Sequence, residues 1–567
     1  MSSAATAVTG PVIPLTPVNP VAKPTGMRAL ASSLPADLSH TPLLGILAVN
    51  MGAGIATLAG RFLSLGLADL KGHFGIGFDE GAWIGTAFNA ATMFIGPLTV
   101  YLGALFGARS VLLVCCGVFG IASVCLPFAP SYGVLIVLLA IAGLASGTFY
   151  PITLTFALRN IPIGYLAITL GLYATCIEGA VNFAPSLYGF YRDHLTWQWM
   201  FWTSALAMPL MAACVYYGIP ASARPSGPKL SFAGFLYASA GFALLFAALD
   251  QGQRLDWWRS AVFMALFTTG IFFLLCAVIR RLRRPNPLVD LPFLRKWNTL
   301  GLGFGIFAFR FCLLATALVI PQTLAVRGLD SAQIGPAVLW TAIPELCLAF
   351  VAAHLLNKGL DSRLLMASGF AVMGTVCVLN ASVTSVWTAE NYFRTELLMA
   401  VGQSFAFVGL VSSIILQSFV SGALSAPSRI LTFSAFFHLV RLFAGQIGVT
   451  VMTRYIAEQE KLHSSLIGLH VQSGGWIAEH TVGLVTAGLA PKSAGTAAAA
   501  GRAVGVVAGG VRLQAYTLAF IDAFHLLAWM SVAMLILLAT LRRFPLNYRD
   551  LSALGAGARQ RKTGDQS

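Results

Sequence analysis

The sequence predicts an all-α polytopic membrane protein with about fourteen transmembrane helices. Of its 567 residues, 57% are hydrophobic and only 10% are charged, whereas a soluble domain carries roughly 25% charged residues. The apolar residues fall into repeated runs of about 20, the length that crosses a hydrocarbon core of roughly 30 Å as an α-helix. The predicted surroundings of the chain are therefore a lipid bilayer.

Charges, prolines and glycines bound these runs and set the predicted spans. In chain order, the spans lie at about 43–68, 82–104, 111–128, 133–155, 163–187, 198–218, 231–250, 258–280, 299–325, 333–355, 364–386, 395–418, 429–453 and 515–541.

Two tails flank the predicted spans. Residues 1–42 are rich in Ala, Ser, Thr and Pro, a composition typical of a disordered tail. A signal peptide would place a shorter apolar segment nearer the start, so the first run, which begins near Leu43, is interpreted as a membrane helix. Residues 542–567 form the second tail.

The distribution of Lys and Arg predicts the orientation. Most of them lie in alternate short loops and in both tails, for example in the cluster from Arg280 to Lys296. Cytoplasmic loops carry such an excess, so both termini are predicted to be cytoplasmic. The net charge of +15 has this origin, since the chain has no basic helix typical of a nucleic-acid binder. The membrane itself is predicted to be a bacterial inner membrane.

A long loop at 454–514 is predicted on the opposite, periplasmic side. Its stretch from Gly483 to Gly510 is rich in Ala, Gly and Val and poor in charge. This composition favours a mobile hairpin spacer or a short membrane-dipping segment over a docking surface.

Several kinds of chemistry are not indicated. The sequence contains neither the GxxxxGK[ST] phosphate loop nor the HExxH zinc motif. All nine cysteines fall inside apolar runs and none forms a CxxC pair, so neither disulfides nor a metal site are predicted. We therefore expect no cofactor, and a transporter rather than an enzyme.

Five local segments stand out at the entries to spans two and six, after span seven, before span nine and in span thirteen. They are Asp79–Phe88, Thr196–Phe201, Asp250–Trp257, Asn286–Leu291 and Arg441–Gly448. These segments resemble the major facilitator superfamily, and more narrowly its fourteen-span drug/proton antiporter branch, the EmrB/QacA type.

The resemblance implies two six-helix bundles, at 43–218 and 299–541, with two linker helices at 219–298 between them. It also implies a central cavity that opens alternately to each side and proton-driven export of small organic molecules. EmrB-type members suggest a periplasmic adaptor protein and an outer-membrane channel as partners.

The chain departs from the family pattern at several gating positions. The loop after span two keeps Gly103, Gly107 and Arg109 but lacks the acidic residue of the family. In span four, Leu139 and Ala142 occupy the place of the usual Arg. The family's standard proton-relay residue is therefore missing.

The span-five antiporter signature survives from Ala184 through Pro185 to Gly189. Pro185 removes a backbone donor and can kink the helix near its outer end. An ordinary proline at the end of a span is the alternative interpretation. Arg441, in span thirteen, is predicted to have a gating or structural role.

Charged residues inside the spans are costly in lipid and indicate a cavity or a partner. By depth, Arg61 and Glu178 could pair in the first bundle, while Arg310, Glu345, His438 and Arg441 form a second cluster near the midplane. The predicted substrate cavity comprises Arg61, Glu178, Asn182, Arg310 and Gln403, and the predicted proton-coupling groups are Glu178, Glu345 and His438. Structural pairing is the alternative for each charge.

Asp522 and His525 are spaced i, i+3 and share a helix face, but a functional role for them is not favoured. The excess of arginine over acid in the cavity predicts anionic or weakly acidic substrates. Two alternatives stay open: an importer or facilitator of an organic anion, and a non-transporting membrane sensor.

Overall fold

The computed structural model describes residues 42–160, 163–220, 232–283, 296–420, 427–471, 474–493, 495–543 and 547–549. Eighteen α-helices account for most of these residues. They are α1 (Pro42–Leu65), α2 (Leu67–Phe74), α3 (Phe78–Phe106), α4 (Ala108–Cys125), α5 (Tyr132–Ser146), α6 (Phe149–Asn160), α7 (Ile163–His194), α8 (Trp199–Gly218), α9 (Phe232–Gly252), α10 (Ala261–Arg283), α11 (Trp297–Cys312), α12 (Ile320–Ala325), α13 (Ser331–Asn357), α14 (Ser362–Asn380), α15 (Phe393–Val420), α16 (Pro427–Gly468), α17 (Trp476–Leu489) and α18 (Thr496–Thr540).

The predicted membrane spans all fall on these helices. Thirteen helical segments of the described chain are long and apolar enough to cross a membrane. The remaining predicted span corresponds to α3, which has 29 residues. The predicted tails lie outside the described residues, except for Pro42, 542–543 and 547–549. We call the side predicted to face the cytoplasm inner and the opposite side outer.

The helices pack as two bundles joined along two seams. In the first bundle α1 packs on α7 and α8, and in the second α14 and α15 pack on each other and α16 packs on α18. One seam is α7 against α13, the most extensive helix pair in the described chain. The other seam brings α16 against α3 and α6.

Small residues explain how closely α7 and α13 approach. A methyl group added at Gly189 would lie 2.7 Å from the Ala332 Cα, and one at Gly335 would lie 2.6 Å from the Ser186 Cα. Farther along the same seam, a methyl at Gly171 would lie 3.1 Å from a backbone oxygen of α13. The seam is therefore closed from its outer end past its middle.

The linker helices attach to the second seam. α9 packs on α3 and on α16, while α10 packs chiefly on α9 and leaves most of its surface exposed. At the outer end of α9, Asp250 accepts a hydrogen bond from the Thr86 hydroxyl of α3 and another, at 2.9 Å, from the Gln446 amide of α16. Asp250 thus ties both bundles to the linker.

The prediction of a loop at 454–514 is wrong. α16 continues to Gly468, α17 fills much of the intervening segment, and α18 already begins at Thr496. α16 has 42 residues and α18 has 45, so their lengths of roughly 63 and 68 Å exceed a hydrocarbon core of about 30 Å. We call the described residues within 453–515 the outer helical extension. Alanine is the best helix former, and four consecutive alanines, residues 497–500, lie in the first turns of α18.

Candidate functional site

A π-helical turn interrupts the second bundle at the interface. After α11, residues Ala315–Val319 form this turn before α12 continues the span. Such turns are frequent at functional sites. Arg61, on α1 of the first bundle, donates from Nη2 to the Ala317 carbonyl oxygen at 2.5 Å. This hydrogen bond joins the two bundles.

The predicted pair of Arg61 and Glu178 is wrong. Both Glu178 carboxylate oxygens are buried without a hydrogen-bond partner, and among the described residues Glu178 makes no ion pair within 4.0 Å. Its charge interactions are instead with Arg310 and Arg441 of the second bundle. The rotation of α1 turns Arg61 toward the π-helical turn, so the two predicted clusters are one cluster that spans the interface.

Asn182 bridges the bundles at the centre of this cluster. Its amide donates to Glu345 Oε1 at 3.3 Å and to Gln403 Oε1 at 2.9 Å. Gln403 in turn donates to the Thr316 hydroxyl of the π-helical turn at 3.0 Å. Asn182, Glu345 and Gln403 are each no more than 1% exposed. Three predicted residues therefore form one hydrogen-bonded chain from α7 to α13 and α15.

An aromatic contact holds the cluster from the α6 side. The Arg441 guanidinium lies 3.7 Å from the ring centroid of Tyr150, and the His438 ring stacks on the same tyrosine at 5.5 Å. The Tyr150 hydroxyl also contacts the Thr57 hydroxyl of α1. Both His438 ring nitrogens are buried without a hydrogen-bond partner. Arg441 and His438 thus contact the first bundle through one aromatic ring.

Basic side chains outnumber acidic ones in the cluster. It contains three guanidinium groups, those of Arg61, Arg310 and Arg441, and two carboxylates, those of Glu178 and Glu345. A guanidinium can hold both oxygens of a carboxylate at once, and charge preferences are weakly screened in a site of low dielectric constant. Within the described residues, no group of three His, Cys, Asp or Glu side chains is arranged to hold a metal ion.

The predicted gate residues lie at different places. Gly107 caps α4 with φ +80°, a conformation that favours glycine. The Arg109 guanidinium lies 4.2 Å from the Tyr216 ring centroid on α8, so it contacts its own bundle. Gly103 lies three residues before the end of α3. A gating role for Gly103, Gly107 and Arg109 stays a prediction.

The outer part of the span-five signature lies in the seam with α13. α7 stays helical through Pro185, and Ala184 is fully buried. The absence of a side chain at Gly189 permits the close contact with Ala332. Any opening at the outer end must therefore separate these residues.

Asp522 contacts a residue on a different helix. Its Oδ2 lies 2.7 Å from His463 Nε2 on α16, so this contact joins α16 and α18 at the base of the outer helical extension. The i, i+3 spacing of Asp522 and His525 could not predict it, because spacing within one helix gives no information about a facing helix.

Sequence reasoning missed Tyr150 and Glu396, and it named Asp250 only as part of a family-like segment without predicting its contacts. Tyr150 carries no charge, so a search for intramembrane charges passes over it. Asp250 is the last residue of one predicted span, and Glu396 is the second residue of another. An acid at the end of a span is ordinarily solvated. The structure instead buries Glu396 completely.

Comparison with protein families matches residues 49–449 to the family described as Major Facilitator Superfamily. Curated relatives include the "Probable multidrug resistance protein EmrY" of Escherichia coli K12, 25% identical, with 77% of this chain and 85% of that protein covered. The "Multidrug export protein EmrB" of the same strain is 25% identical over 76% of this chain and 88% of that protein.

A third relative is the "Colistin resistance protein EmrB" of Acinetobacter baumannii, 22% identical over 85% of this chain and 92% of that protein. Among solved structures, the proton:xylose symporter XylE matches with a TM-score of 0.53 and 12% identity, covering 90% of this chain and 98% of that chain. At that identity the structural match bears on the fold alone.

Proposed function

The chain belongs to the major facilitator superfamily, and from this membership we propose that it is a secondary transporter that exports small organic molecules in exchange for protons. The observation that carries the proposal is the buried cluster between the bundles, in which Glu178 interacts with Arg310 and Arg441 and Glu345 accepts a hydrogen bond from Asn182. A charged group at membrane depth is costly and marks a substrate or proton pathway. The relatives named as multidrug export proteins support the direction.

Proton coupling would work through the two carboxyl groups. Glu178 has no hydrogen-bond partner and Glu345 has one free oxygen, Oε2. Protonation changes the charge balance against Arg310 and Arg441, and release of the proton restores it. Because Asn182 joins α7 to α13 and α15, a change at Glu345 acts directly on the contact between the bundles.

The substrates we propose are anionic or weakly acidic, with aromatic acids as the leading class. Arg61 and Arg310 are the groups that would hold a carboxylate. Arg61 Nε and Arg310 Nε are buried without a hydrogen-bond partner, so each has donor capacity for a ligand. His438 is proposed as a further proton-coupling group.

A periplasmic adaptor and an outer-membrane channel are proposed as partners in the inner membrane of a bacterium. The outer helical extension supports the proposed partners, because it makes α16 and α18 much longer than is needed to cross a hydrocarbon core. Trp476 and Ile477 at its tip are 76% and 68% exposed. A loss of adaptor co-purification on deletion of residues 470–495 would support the partner, and retention would contradict it.

The test uses inverted membrane vesicles with an imposed pH gradient, acidic inside, and two probes, salicylate and ethidium. We expect accumulation of salicylate inside wild-type vesicles when the gradient is applied. Glu178→Gln and Glu345→Gln should abolish the accumulation and leave binding of the probe, since the amide cannot exchange a proton. Glu390→Gln, the same change at an exposed position, is the matched control.

Charge selectivity is tested with Arg61→Ala and Arg310→Ala. We expect both to weaken salicylate transport and to leave ethidium unchanged or improved. Transport of ethidium alone, unaffected by either substitution, would refute the anion preference. Movement of salicylate out of the vesicles would refute export and favour an importer. Normal pumping by both glutamine variants would show that the acids are structural.

A further inference from the structure

A third carboxyl group is buried inside the second bundle, apart from the interface cluster. Glu396 lies at the first turn of α15 and is 0% exposed. The Thr341 hydroxyl of α13 donates to Glu396 Oε2 at 2.6 Å. Glu396 Oε1 is buried without a hydrogen-bond partner. Among the described residues, Glu396 makes no ion pair within 4.0 Å.

The surroundings of Glu396 do not neutralise an ionised carboxylate. Thr341 of α13 donates to Glu396, and the groups that interact with it electrostatically are Glu345 of α13 and Asn380 and Cys377 of α14. The two amide atoms of Asn380 are themselves buried without a well-formed hydrogen bond. An unpaired carboxylate at such a place is expensive. A purely structural role is therefore a poor explanation of an acid here.

Polar groups continue from Glu396 toward the outer surface. Tyr392 lies one helical turn before it, at the end of the turn Ala389–Tyr392, and its hydroxyl is buried without a well-formed hydrogen bond. Beyond Tyr392 lies Arg327, which donates to the Trp387 and Thr384 carbonyl oxygens at 2.6 Å. Arg327 is partly exposed, so this end of the line reaches the surface of the protein.

The line also continues inward to the interface cluster. Thr341 and Glu345 are spaced i, i+4 on α13 and so share a helix face. Glu345 interacts electrostatically with both Glu396 and Glu178, and it accepts a hydrogen bond from Asn182. The three acids thus occupy successive positions from the outer side of the second bundle to the interface.

We propose that Glu396 is the outer station of a proton route that supplies Glu345. A proton from the outer water binds the Glu396 carboxylate; its transfer to Glu345 leaves Glu396 ionised and Glu345 neutral, ready to change the interface contact. Thr341 positions Glu396 for this transfer and links the two acids along α13. The inference rests on the proposed proton coupling and adds to it the path of proton entry.

The first test needs no substrate. The full-length protein in lipid nanodiscs is titrated with pH while the carboxyl stretching band is followed by infrared difference spectroscopy. We expect a band that titrates in the wild type and in Glu390→Gln and is lost in Glu396→Gln. A spectrum that is the same in Glu396→Gln and the wild type, or a Glu396 band that does not respond to pH, would overturn the proposal.

The second test separates proton delivery from the transport cycle. In inverted vesicles, gradient-driven salicylate accumulation should fall in Glu396→Gln by about a hundredfold, the lower end of what a positioned proton carrier contributes. Exchange of labelled for unlabelled salicylate without a gradient moves no net protons, so it should stay within about twofold of wild type. Glu396→Asp should restore part of the accumulation, and Thr341→Val should reduce it.

The outcomes distinguish this proposal from the proposed function. If salicylate accumulation in wild-type vesicles does not depend on the pH gradient, proton coupling is refuted, and the proton route is refuted with it. A wild type that responds while Glu396→Gln pumps normally refutes the route alone. Loss of exchange together with accumulation in both Glu396→Gln and Thr341→Val also overturns the route, because it shows a structural role.

Discussion

Replacing Asn182 by leucine should open the contact between the bundles. The two side chains have similar size, so the change removes chiefly the hydrogen bonds to Glu345 and Gln403. Both bonds join α7 to the opposite bundle. In the closed arrangement the two acceptors would stay buried without their donor, whereas in an open arrangement water can reach them.

The magnitude follows from these two bonds. A hydrogen bond contributes about 0.5–1.5 kcal/mol net, and a buried acceptor left without a partner costs about 1–3 kcal/mol. We therefore expect the closed arrangement to lose about 2–3 kcal/mol relative to the open one, which changes their ratio by roughly 30- to 150-fold.

The assay measures the distance between spin labels at Asp193 and Gln333, two exposed positions at the outer ends of α7 and α13. The labels are carried by unnatural amino acids, because nine native cysteines preclude thiol labelling. We expect Asn182→Leu to add a longer component to the distance distribution. Asn50→Leu is the control, since Asn50 donates within its own helix to the Ile46 carbonyl oxygen. Identical distributions in the wild type and Asn182→Leu would refute the reasoning.

Three further predictions concern other parts of the chain. A cytoplasm-active reporter fused near Pro225 should work and one fused near Gly495 should not, because the Lys and Arg bias puts them on opposite sides; equal activity would refute the topology. Asp250→Asn should lower the thermal midpoint through the loss of about 1–2 kcal/mol, since Thr86 and Gln446 donate to different carboxylate oxygens and the amide replaces one of these with an NH2 donor, while the exposed Asp256→Asn should not. Burial raises the pKa of the Tyr548 phenol, which donates to a backbone oxygen of α15 at 3.2 Å. The neutral phenol stabilises the fold below its unfolded pKa, so thermal stability should fall above pH about 10 in the wild type and less in Tyr548→Phe.

Much of the site could be named from the sequence but not assembled from it. Arg61, Glu178, Arg310, Glu345 and Arg441 stand out because a charge inside an apolar run has no ordinary explanation. Their depth along each helix predicted two clusters, whereas the structure brings these residues together in one cluster at the interface between the bundles. The depth of a residue does not show in which direction its side chain points around the helix axis. The predicted partner of Arg61 was therefore wrong.

The outer helical extension shows a different limit. Hydropathy predicts where lipid ends, and it ended the spans near 453 and 515. It does not predict whether the chain stays helical in water. The structure continues both helices past these points, and contacts between facing helices, such as His463 with Asp522 at 2.7 Å, join them.

The sequence by itself determined the membrane-spanning helices and the family, because a helix in lipid must satisfy its backbone groups within its own segment. That requirement is local, so each membrane-spanning helix can be recognised in the sequence as an apolar run of about 20 residues. Only the tertiary structure decided which polar groups meet. Asn182 and Gln403 are 221 residues apart, and Thr341 and Glu396 are 55 apart. Their contacts depend on the rotation and height of one helix against another, which packing of the whole molecule fixes.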